Sequence, residues 1–482
     1  MKRSALGTGL LFVLVARAVN AETFAGPGGT SLELNGFFKV EGSLAVSAPK
    51  VVAPADSVYT YNARNAFDPN NREPLPNPSS GPRTSTLTLQ QIGVGISKET
   101  DSAITYEARV THRWRKASGD EFFDWLSSPD VNYKTSNPFG NADFFEKLIG
   151  ISRPDIGSLR YGTQLSRSWS RSDAFTFPIG LSSQWADSGA GFGILPEAIR
   201  YTSPVFEDGT GKLTFEVTLA QNKRNTELVD KGYVASLFSD NAYFPGATTP
   251  RLGEFFLQFS NSKNLIELTA QTSTGAQQAA FGKAALVGWI GDPDSNPLTP
   301  GIPRSAGKPS QSVVMLQGNH WPNPTNMLTW GLRRSQWSGS AASCNPNLTY
   351  GCLFGVDPGF NSGLRPQSYQ GYRASTLDLM GGWSHYQGLF TYTVGGVYFG
   401  RANSSNPIEW GQSNSAWGMN VGIYRKLPEI LKGLGASIGI SSANLLRLGP
   451  APLSMPGNSF LGPNSLYSKN GQAITVGATW VF

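Results

Sequence analysis

The segment Ala473–Phe482 alternates large apolar side chains with small or polar ones at a period of two. Successive side chains of a β-strand point to opposite faces, so one face here suits an apolar medium and the other suits water. A closed membrane barrel needs such a strand, because its last strand must pair with its first to leave no edge. A buried strand at the end of a soluble domain fits the same pattern, so this segment alone does not decide between the two.

The same alternation recurs along the chain, most clearly in Ala103–Arg115, where Tyr106 and Val110 alternate with Arg109 and Arg113. Tight turns and long polar connections alternate between the segments, which is the layout of an outer-membrane barrel. The sequence therefore predicts an all-β fold, a transmembrane antiparallel β-barrel of about sixteen strands. The predicted strands are 32–46, 85–98, 103–115, 144–153, 158–164, 197–203, 212–220, 251–260, 264–272, 312–319, 327–336, 374–384, 389–401, 416–426, 434–445 and 473–482.

Three details of this prediction stay open. Fourteen or eighteen strands are possible, because the segments 277–309 and 447–471 could each hide or lack a strand. The alternation slips at Gln90-Gln91, which indicates a bulge. A secreted β-sandwich or propeller is the rival architecture, but it does not require aromatic side chains near strand ends, which suit a membrane interface. The predicted outward aromatics are Tyr106, Trp114, Tyr201, Trp330, Trp383, Tyr392, Tyr398, Trp417 and Trp480.

The first 21 residues have the pattern of a secretory signal peptide. Lys2 and Arg3 supply a basic start, Leu6–Ala16 is apolar, and Val19 and Ala21 occupy the −3 and −1 positions of a cleavage site. The apolar run is too short for a membrane-spanning helix. We therefore expect residues 1–21 to be removed and residues 22–482 to form the barrel domain.

Composition limits the other functional classes. Charged residues make up 15% of the chain, below the roughly 25% of soluble domains. The net charge of +6 comes from scattered basic residues, so no nucleic-acid partner is predicted. None of His112, His320 and His385 has a serine partner in a recognisable motif, and no metal-ligand spacing appears, so we expect no enzyme, cofactor or metal. Cys344 and Cys352 are expected to form a disulfide that closes a small loop.

The segment Glu146–Gln164 resembles the general trimeric porins of Gram-negative bacteria. Ile156-Gly157 and Tyr161-Gly162 match the turn and strand signatures of that family, and the aromatic terminal strand matches as well. Thr163 stands where the family usually has Arg, and the acidic tip of enteric members is absent. The resemblance implies a sixteen-stranded barrel in the bacterial outer membrane, usually a homotrimer, that passively admits small hydrophilic solutes and ions. It also implies that residues 165–196 fold into the lumen and set the pore width.

Charged side chains on the inward faces and in the 165–196 loop would then decide which ions pass, since charged rings select by sign. Three arginines in the third predicted strand give a lean toward anions. The candidate pore-lining and constriction residues are Lys39, Glu107, Arg109, Arg113, Arg115, Arg167, Arg171, Asp173, Asp187 and Arg200. The aromatic side chains of the same loop, which include Trp169 and Trp185, are expected to anchor it or to form a slide for sugars.

Two other functions remain open on the sequence alone. A barrel with long loops could act as a binding, adhesion or receptor protein, and a barrel enzyme would need an activated serine or paired carboxylates. In each case the expected surroundings are outer-membrane lipid.

Overall fold

Long antiparallel strands form the framework of the chain in the computed structural model, which describes residues 22–47, 83–119, 146–174, 185, 194–221, 251–274, 310–338, 373–400, 403–404, 416–443 and 471–482. The strands, β1 to β16 in chain order, are Thr30–Ser47, Arg83–Glu99, Thr105–Gly119, Glu146–Arg153, Gly157–Leu165, Ile194–Thr202, Lys212–Gln221, Arg251–Ser260, Asn264–Thr274, Ser310–Asn323, Asn326–Ser338, Arg373–Gln387, Phe390–Phe399, Ala416–Lys426, Leu434–Ala443 and Gly471–Val481. Three short strands, a 3-10 helix and one α-helix complete the described elements: Glu22–Ala25, Phe206–Glu207, Asn403–Ser404, the 3-10 helix Pro27–Gly29 and the helix α1, Arg167–Ala174.

Each strand pairs with its neighbour in the chain, and the last strand pairs with the first. The β16–β1 register runs from Ile474 opposite Leu44 to Val481 opposite Phe37. Phe482 and Gly36 then exchange two backbone hydrogen bonds of 2.9 and 3.0 Å. The sheet is therefore a closed sixteen-stranded antiparallel barrel, which confirms the predicted fold and strand number.

The connections alternate in length around the ring. Those after β2, β4, β6 and the later even-numbered strands are short, while those after the odd-numbered strands are long. In the short connections Asp155 accepts hydrogen bonds from the Arg153 guanidinium, and these lower the pKa of Asp155. The Thr210 hydroxyl donates to Asp208 at 2.6 Å and lowers the pKa of Asp208 in the same way. In outer-membrane barrels the short-turn end faces the periplasm.

The predicted bulge at Gln90-Gln91 is wrong. The β1–β2 ladder runs through this point without a shift, with Phe38 opposite Gln90 and Phe37 opposite Gln91. The alternation slips in sequence because the polar Thr88 and Gln90 occupy outward positions while the apolar Leu89 is inward, opposite Lys39. A register shift is found instead on the β5–β6 ladder between Gly162 and Gln164, just before the chain leaves the wall.

The two faces of the wall differ in polarity as the alternation predicts. The outward side chains are large and apolar and are exposed in the isolated chain, for example Ile149, Leu219, Leu377, Val421 and Ile440. The inward side chains include nearly all the buried polar and charged ones, such as Glu254, Gln317 and Asp378, together with apolar ones such as Phe256 and Met315. A soluble monomer does not expose so continuous an apolar surface, and the outer face has the polarity of the lipid-facing band of an outer-membrane barrel.

Aromatic rings collect on the outer face near the short-turn end. Trp383 stacks on His385 at 5.7 Å, and His385 lies 6.3 Å from Tyr392. Trp480 and Phe482 pack at 4.7 Å beside the closing seam. Rings at this level are typical of a membrane–water interface. Among the described residues, no helix has the length and apolarity needed to span a bilayer.

Candidate solute pathway in the barrel interior

The helix α1 begins directly after β5 and packs against inward-facing side chains of the wall. Ser166 precedes the helix, and its hydroxyl accepts a hydrogen bond from Trp169 N at 3.2 Å. The Glu254 carboxylate on β8 accepts from Arg167 N at 2.8 Å and from Ser168 N at 3.2 Å. A carboxylate at a helix amino terminus satisfies unpaired N–H groups and complements the helix dipole. The wall itself thus caps the helix.

Two arginines of α1 bind carboxylates of neighbouring strands. Arg167 Nη2 donates to Glu216 on β7 at 2.7 Å, and Arg171 Nε donates to Glu267 on β9 at 2.7 Å. Burial lowers the pKa of Arg167, but the charge of Glu216 and its hydrogen bonds outweigh burial and raise the pKa overall. Both guanidinium groups lie about 6 Å from the Phe256 ring. These charge-assisted bonds fix the helix to β7, β8 and β9.

Arg200 on β6 lies behind this helix. Its Nε donates to Thr218 Oγ1 at 2.8 Å, and its Nη2 donates to the Leu165 carbonyl at 2.7 Å. Glu254 Oε1 is 3.4 Å from the same Nη2. Arg200 is buried, so it holds the point where the chain turns into the lumen and does not face the passage.

Trp185 is a second attachment point of the same loop, on the strands β10 and β11 that follow β9 in the wall. Its indole is fully buried, and its Nε1 donates to Gln317 on β10 at 3.3 Å. The Arg333 guanidinium lies 4.2 Å from the ring, donates to the Trp185 carbonyl, and pairs with Asp378 at 2.9 Å.

Gly331 supplies the space for this indole. A Cβ at Gly331 would lie 3.1 Å from Trp185 Cζ2 and 3.0 Å from Met380 Cε, closer than nearly all real Cβ contacts. Because Gly331 on β11 has no side chain, Trp185 can pack against the wall at this point.

The inward faces of β1 to β5, here called the open wall, carry charges that water can reach. Lys39 pairs with Glu41 at 2.7 Å, Arg109 with Glu33 at 3.1 Å, and Arg160 with Glu107 at 2.6 Å. Partly exposed pairs of this kind are each worth about 0.2–1 kcal/mol. They neutralise part of the positive charge of the arginine ladder, the name used here for the three inward arginines that the sequence predicts on the third strand, Arg109, Arg113 and Arg115.

Two of these pairs bridge an intervening strand across a glycine. Gly95 lies between Glu33 and Arg109 in the ladder, and Gly150 lies between Glu107 and Arg160. Since the central residue has no side chain, long side chains two strands apart can meet above it. A Cβ at Gly150 would lie 2.6 Å from Glu107 Oε1, whereas one at Gly95 would have no contact closer than 3.6 Å.

The cation is the more exposed partner in each pair of the open wall. Side-chain exposure is 30% for Lys39 against 6% for Glu41. It is 32% for Arg160 against 18% for Glu107, and 35% against 33% for Arg109 and Glu33. Across the three pairs the positive side chains are therefore the more exposed ones, although the charges balance in number and Arg109 and Glu33 differ little.

Arg113 joins the open wall to the helix. Its Nε donates to Gln91 Oε1 at 2.8 Å, and its guanidinium lies 5.5 Å from the rings of Phe37 and Trp169. Trp169 is buried. Both loop tryptophans thus pack against the wall, as expected for anchoring side chains, and neither forms an open slide.

Several predicted site residues cannot be placed by their side chains. Arg115 lies in β3 and Asp173 in α1, but their side chains are outside the described part of the structure. Asp187, Cys344 and Cys352 lie outside the described residues. Sequence reasoning missed Arg160, although its alternation with Leu159 and Tyr161 could have placed it inward.

Known structures share this architecture. OmpT of Vibrio cholerae, folded in vitro and in a trimer form, has a TM-score of 0.52 and 7% identity over 94% of this chain and 100% of that chain. The outer membrane channel DcaP of Acinetobacter baumannii has a TM-score of 0.50 and 9% identity over 95% of this chain and 99% of that chain. OmpF of Salmonella typhi, in complex with daunomycin, has a TM-score of 0.50 and 11% identity over 96% of this chain and 100% of that chain.

At such low identities the likeness is one of fold. The chain has the fold of Gram-negative outer-membrane porins and is an outer-membrane β-barrel. No protein-family model matches the sequence, and no curated protein matches it.

Proposed function

We propose that this protein is a porin, which forms a water-filled channel for passive diffusion of small hydrophilic solutes and ions. The observation that supports this most directly is the division of the interior. The helix α1 and Trp185 are both bound to the wall formed by β7 to β12, while the charged open wall of β1 to β5 stays accessible to water. A wetted wall beside a fixed inward segment is what a selective passage requires.

The proposed solute path follows Lys39, Glu107, Arg109 and Arg113 on the open wall and passes beside the helix α1, whose Arg167 and Arg171 hold it to the wall. Arg115, Asp173 and Asp187 stay in the proposed lining by their sequence position. We propose a weak anion preference, because the cation is the more exposed member of each open-wall pair. No catalytic step is part of the proposal. His320 and His385 are each bonded to an asparagine through Nδ1, at 2.8 and 3.0 Å, in an arrangement that suits structure better than proton transfer.

Planar-bilayer recording with the purified protein tests the channel. Stable open steps, and a reversal potential that favours Cl⁻ over K⁺ across a KCl gradient, are expected. A bilayer that stays silent while the barrel is folded would refute the pore and favour a loop-mediated binding or receptor protein. A reversal potential of the opposite sign would refute the anion preference alone.

We also propose a homotrimer. The apolar outer surface of β4 to β6 is short along the membrane normal, which supports a protein contact there. These strands have 8, 9 and 9 residues, whereas β1 has 18. Each presents two large apolar outward side chains, which cover roughly 10 Å of height, less than the lipid-facing band of about 25 Å. The outward side chains are Ile149, Ile151, Leu159, Tyr161, Ile199 and Tyr201.

Cross-linking and mass measurement in detergent test the trimer. Ile149→Arg is expected to yield monomers, whereas Val421→Arg on the outer face of β14 is expected to leave the trimer intact. Monomeric wild-type protein, or equal loss of assembly in both variants, would argue against this interface.

The remaining proposals concern processing. Export is expected to remove residues 1–21 and leave Glu22 as the first residue, which amino-terminal sequencing of the membrane form would check. Cys344 and Cys352 are proposed to form a disulfide, which thiol labelling before and after reduction would check.

A further inference from the structure

The open wall contains two ion pairs of the same geometry. In each pair an acid lies on one strand and a base two strands further along, across a glycine: Glu33 with Arg109 across Gly95, and Glu107 with Arg160 across Gly150. Because Glu107 and Arg109 are both inward residues of β3, the four charges alternate in sign around the wall. The two dipoles point in the same direction.

Such a pair responds differently to different solutes. A free anion or cation can bond to only one member and must leave the other without its partner. A zwitterion can bond to both, since its carboxylate replaces Glu at the arginine and its ammonium replaces Arg at the glutamate. The exchange replaces the one charge-assisted hydrogen bond of the pair with two to the solute, and such bonds are about twice as strong as neutral ones. A neutral solute of equal size offers only the weaker kind.

Solvent access separates these pairs from the ones beneath the loop. The partners in the Arg109–Glu33 pair have side-chain exposures of 35% and 33%. Arg171 and Glu267, which tie the helix to β9, have exposures of 10% and 0%. Glu267 also accepts from Gln258 at 2.6 Å and from Gln317 at 3.2 Å. The pairs beneath the helix are committed to holding it, while the open-wall pairs are reachable from the passage.

We propose that the open wall favours zwitterionic solutes of amino-acid size, such as amino acids and short peptides, over neutral or singly charged solutes of the same size. This inference rests on the proposed porin function and specifies its solute class. Partly exposed pairs contribute about 0.2–1 kcal/mol each, so the expected preference over a neutral solute of equal size is about threefold.

Uptake into proteoliposomes tests the inference with three solutes of nearly equal size: alanine, a zwitterion at pH about 7, lactate, an anion, and lactamide, which is neutral. Protein-free liposomes supply the background to subtract. The wild-type protein is expected to admit alanine about threefold faster than lactamide, and faster than lactate.

The double variant Glu107→Gln with Arg160→Gln removes one pair at constant net charge, and the preference for alanine should fall toward one. The matched control is Asp155→Asn with Arg153→Gln, which removes an exposed pair on a short connection outside the interior and should keep the preference. Equal uptake of alanine and lactamide by the wild type, or an unchanged preference in the first variant, would overturn the inference while the porin function stands. Uptake of none of the three solutes would overturn the porin function itself.

Discussion

Glu107→Gln tests whether the open wall controls ion selectivity. The substitution keeps the shape of the side chain and an oxygen that can accept from Arg160, whose Nε lies 2.6 Å from Glu107 Oε1. It removes one negative charge, so Arg160 is no longer neutralised. Because Arg160 is the more exposed partner, the freed positive charge faces the passage.

The magnitude follows from the distance between this charge and a passing ion. At about 7 Å in water the interaction is about 0.6 kcal/mol, and salt at about 0.1 M reduces it to roughly 0.3 kcal/mol. The added charge attracts anions and repels cations by this amount. The free-energy difference between Cl⁻ and K⁺ in the passage therefore changes by roughly 0.6 kcal/mol. This corresponds to an increase of about threefold in the ratio of Cl⁻ to K⁺ permeability.

The reversal potential across a KCl gradient measures this ratio. Arg160→Gln should move the ratio in the opposite direction by a similar factor, and both effects should shrink at high salt. Glu207→Gln is the matched control, since Glu207 is exposed beside Lys212 near a short connection, and it should change the ratio little. If the variants at 107 and 160 shift the potential in the same direction, or no more than the control does, the open wall is not the ion path.

Three further substitutions test the arrangement of the interior. Trp185→Ala should reduce the stability of the second attachment point by roughly 3–5 kcal/mol. Single-channel conductance and current noise should then rise, whereas Trp383→Ala on the outer face should not change conductance. Arg171→Met leaves a buried carboxylate without its cation and should lower barrel stability by about 3–5 kcal/mol, seen as an earlier unfolding midpoint. Gly150→Ala should alter the permeability ratio, because the new Cβ would lie 2.6 Å from Glu107 Oε1, while Gly95→Ala should not; equal effects would contradict the role given to the glycines.

The framework of the barrel follows closely from the sequence. The alternation of apolar and polar residues identifies each strand and also predicts which of its side chains face outward. Arg251–Ser260 and Ala416–Lys426 have the predicted ends. β6 begins at Ile194, three residues before the predicted start, because the bulge beside Gly162 lets the chain pair earlier. Such a shift depends on where the neighbouring strand leaves the wall, and a single segment cannot show it.

The helix α1 illustrates a different limit. Of its eight residues, Arg167–Ala174, only Trp169 and Ala174 are apolar, too few for an apolar stripe that would predict a helix. Its stability comes from Glu216, Glu254 and Glu267, which belong to three strands far along the chain. These carboxylates could be predicted to face inward, but the partner that each one binds depends on the three-dimensional arrangement.

The arginine ladder shows why counting inward charges is a poor guide to selectivity. Arg109 and Arg113 are on one face of β3, as alternation predicts, and together with Arg115 they are the reason that the sequence gives a lean toward anions. In the folded barrel Arg109 pairs with Glu33 across Gly95, while Arg113 is held by Gln91 and two rings. Gly95, and Gly150 in the second pair, let an acid and a base two strands apart form an ion pair. The sign of the charge that the wall presents to a solute therefore depends on which partner is more exposed. The same pairing makes the wall complementary to solutes that carry both charges.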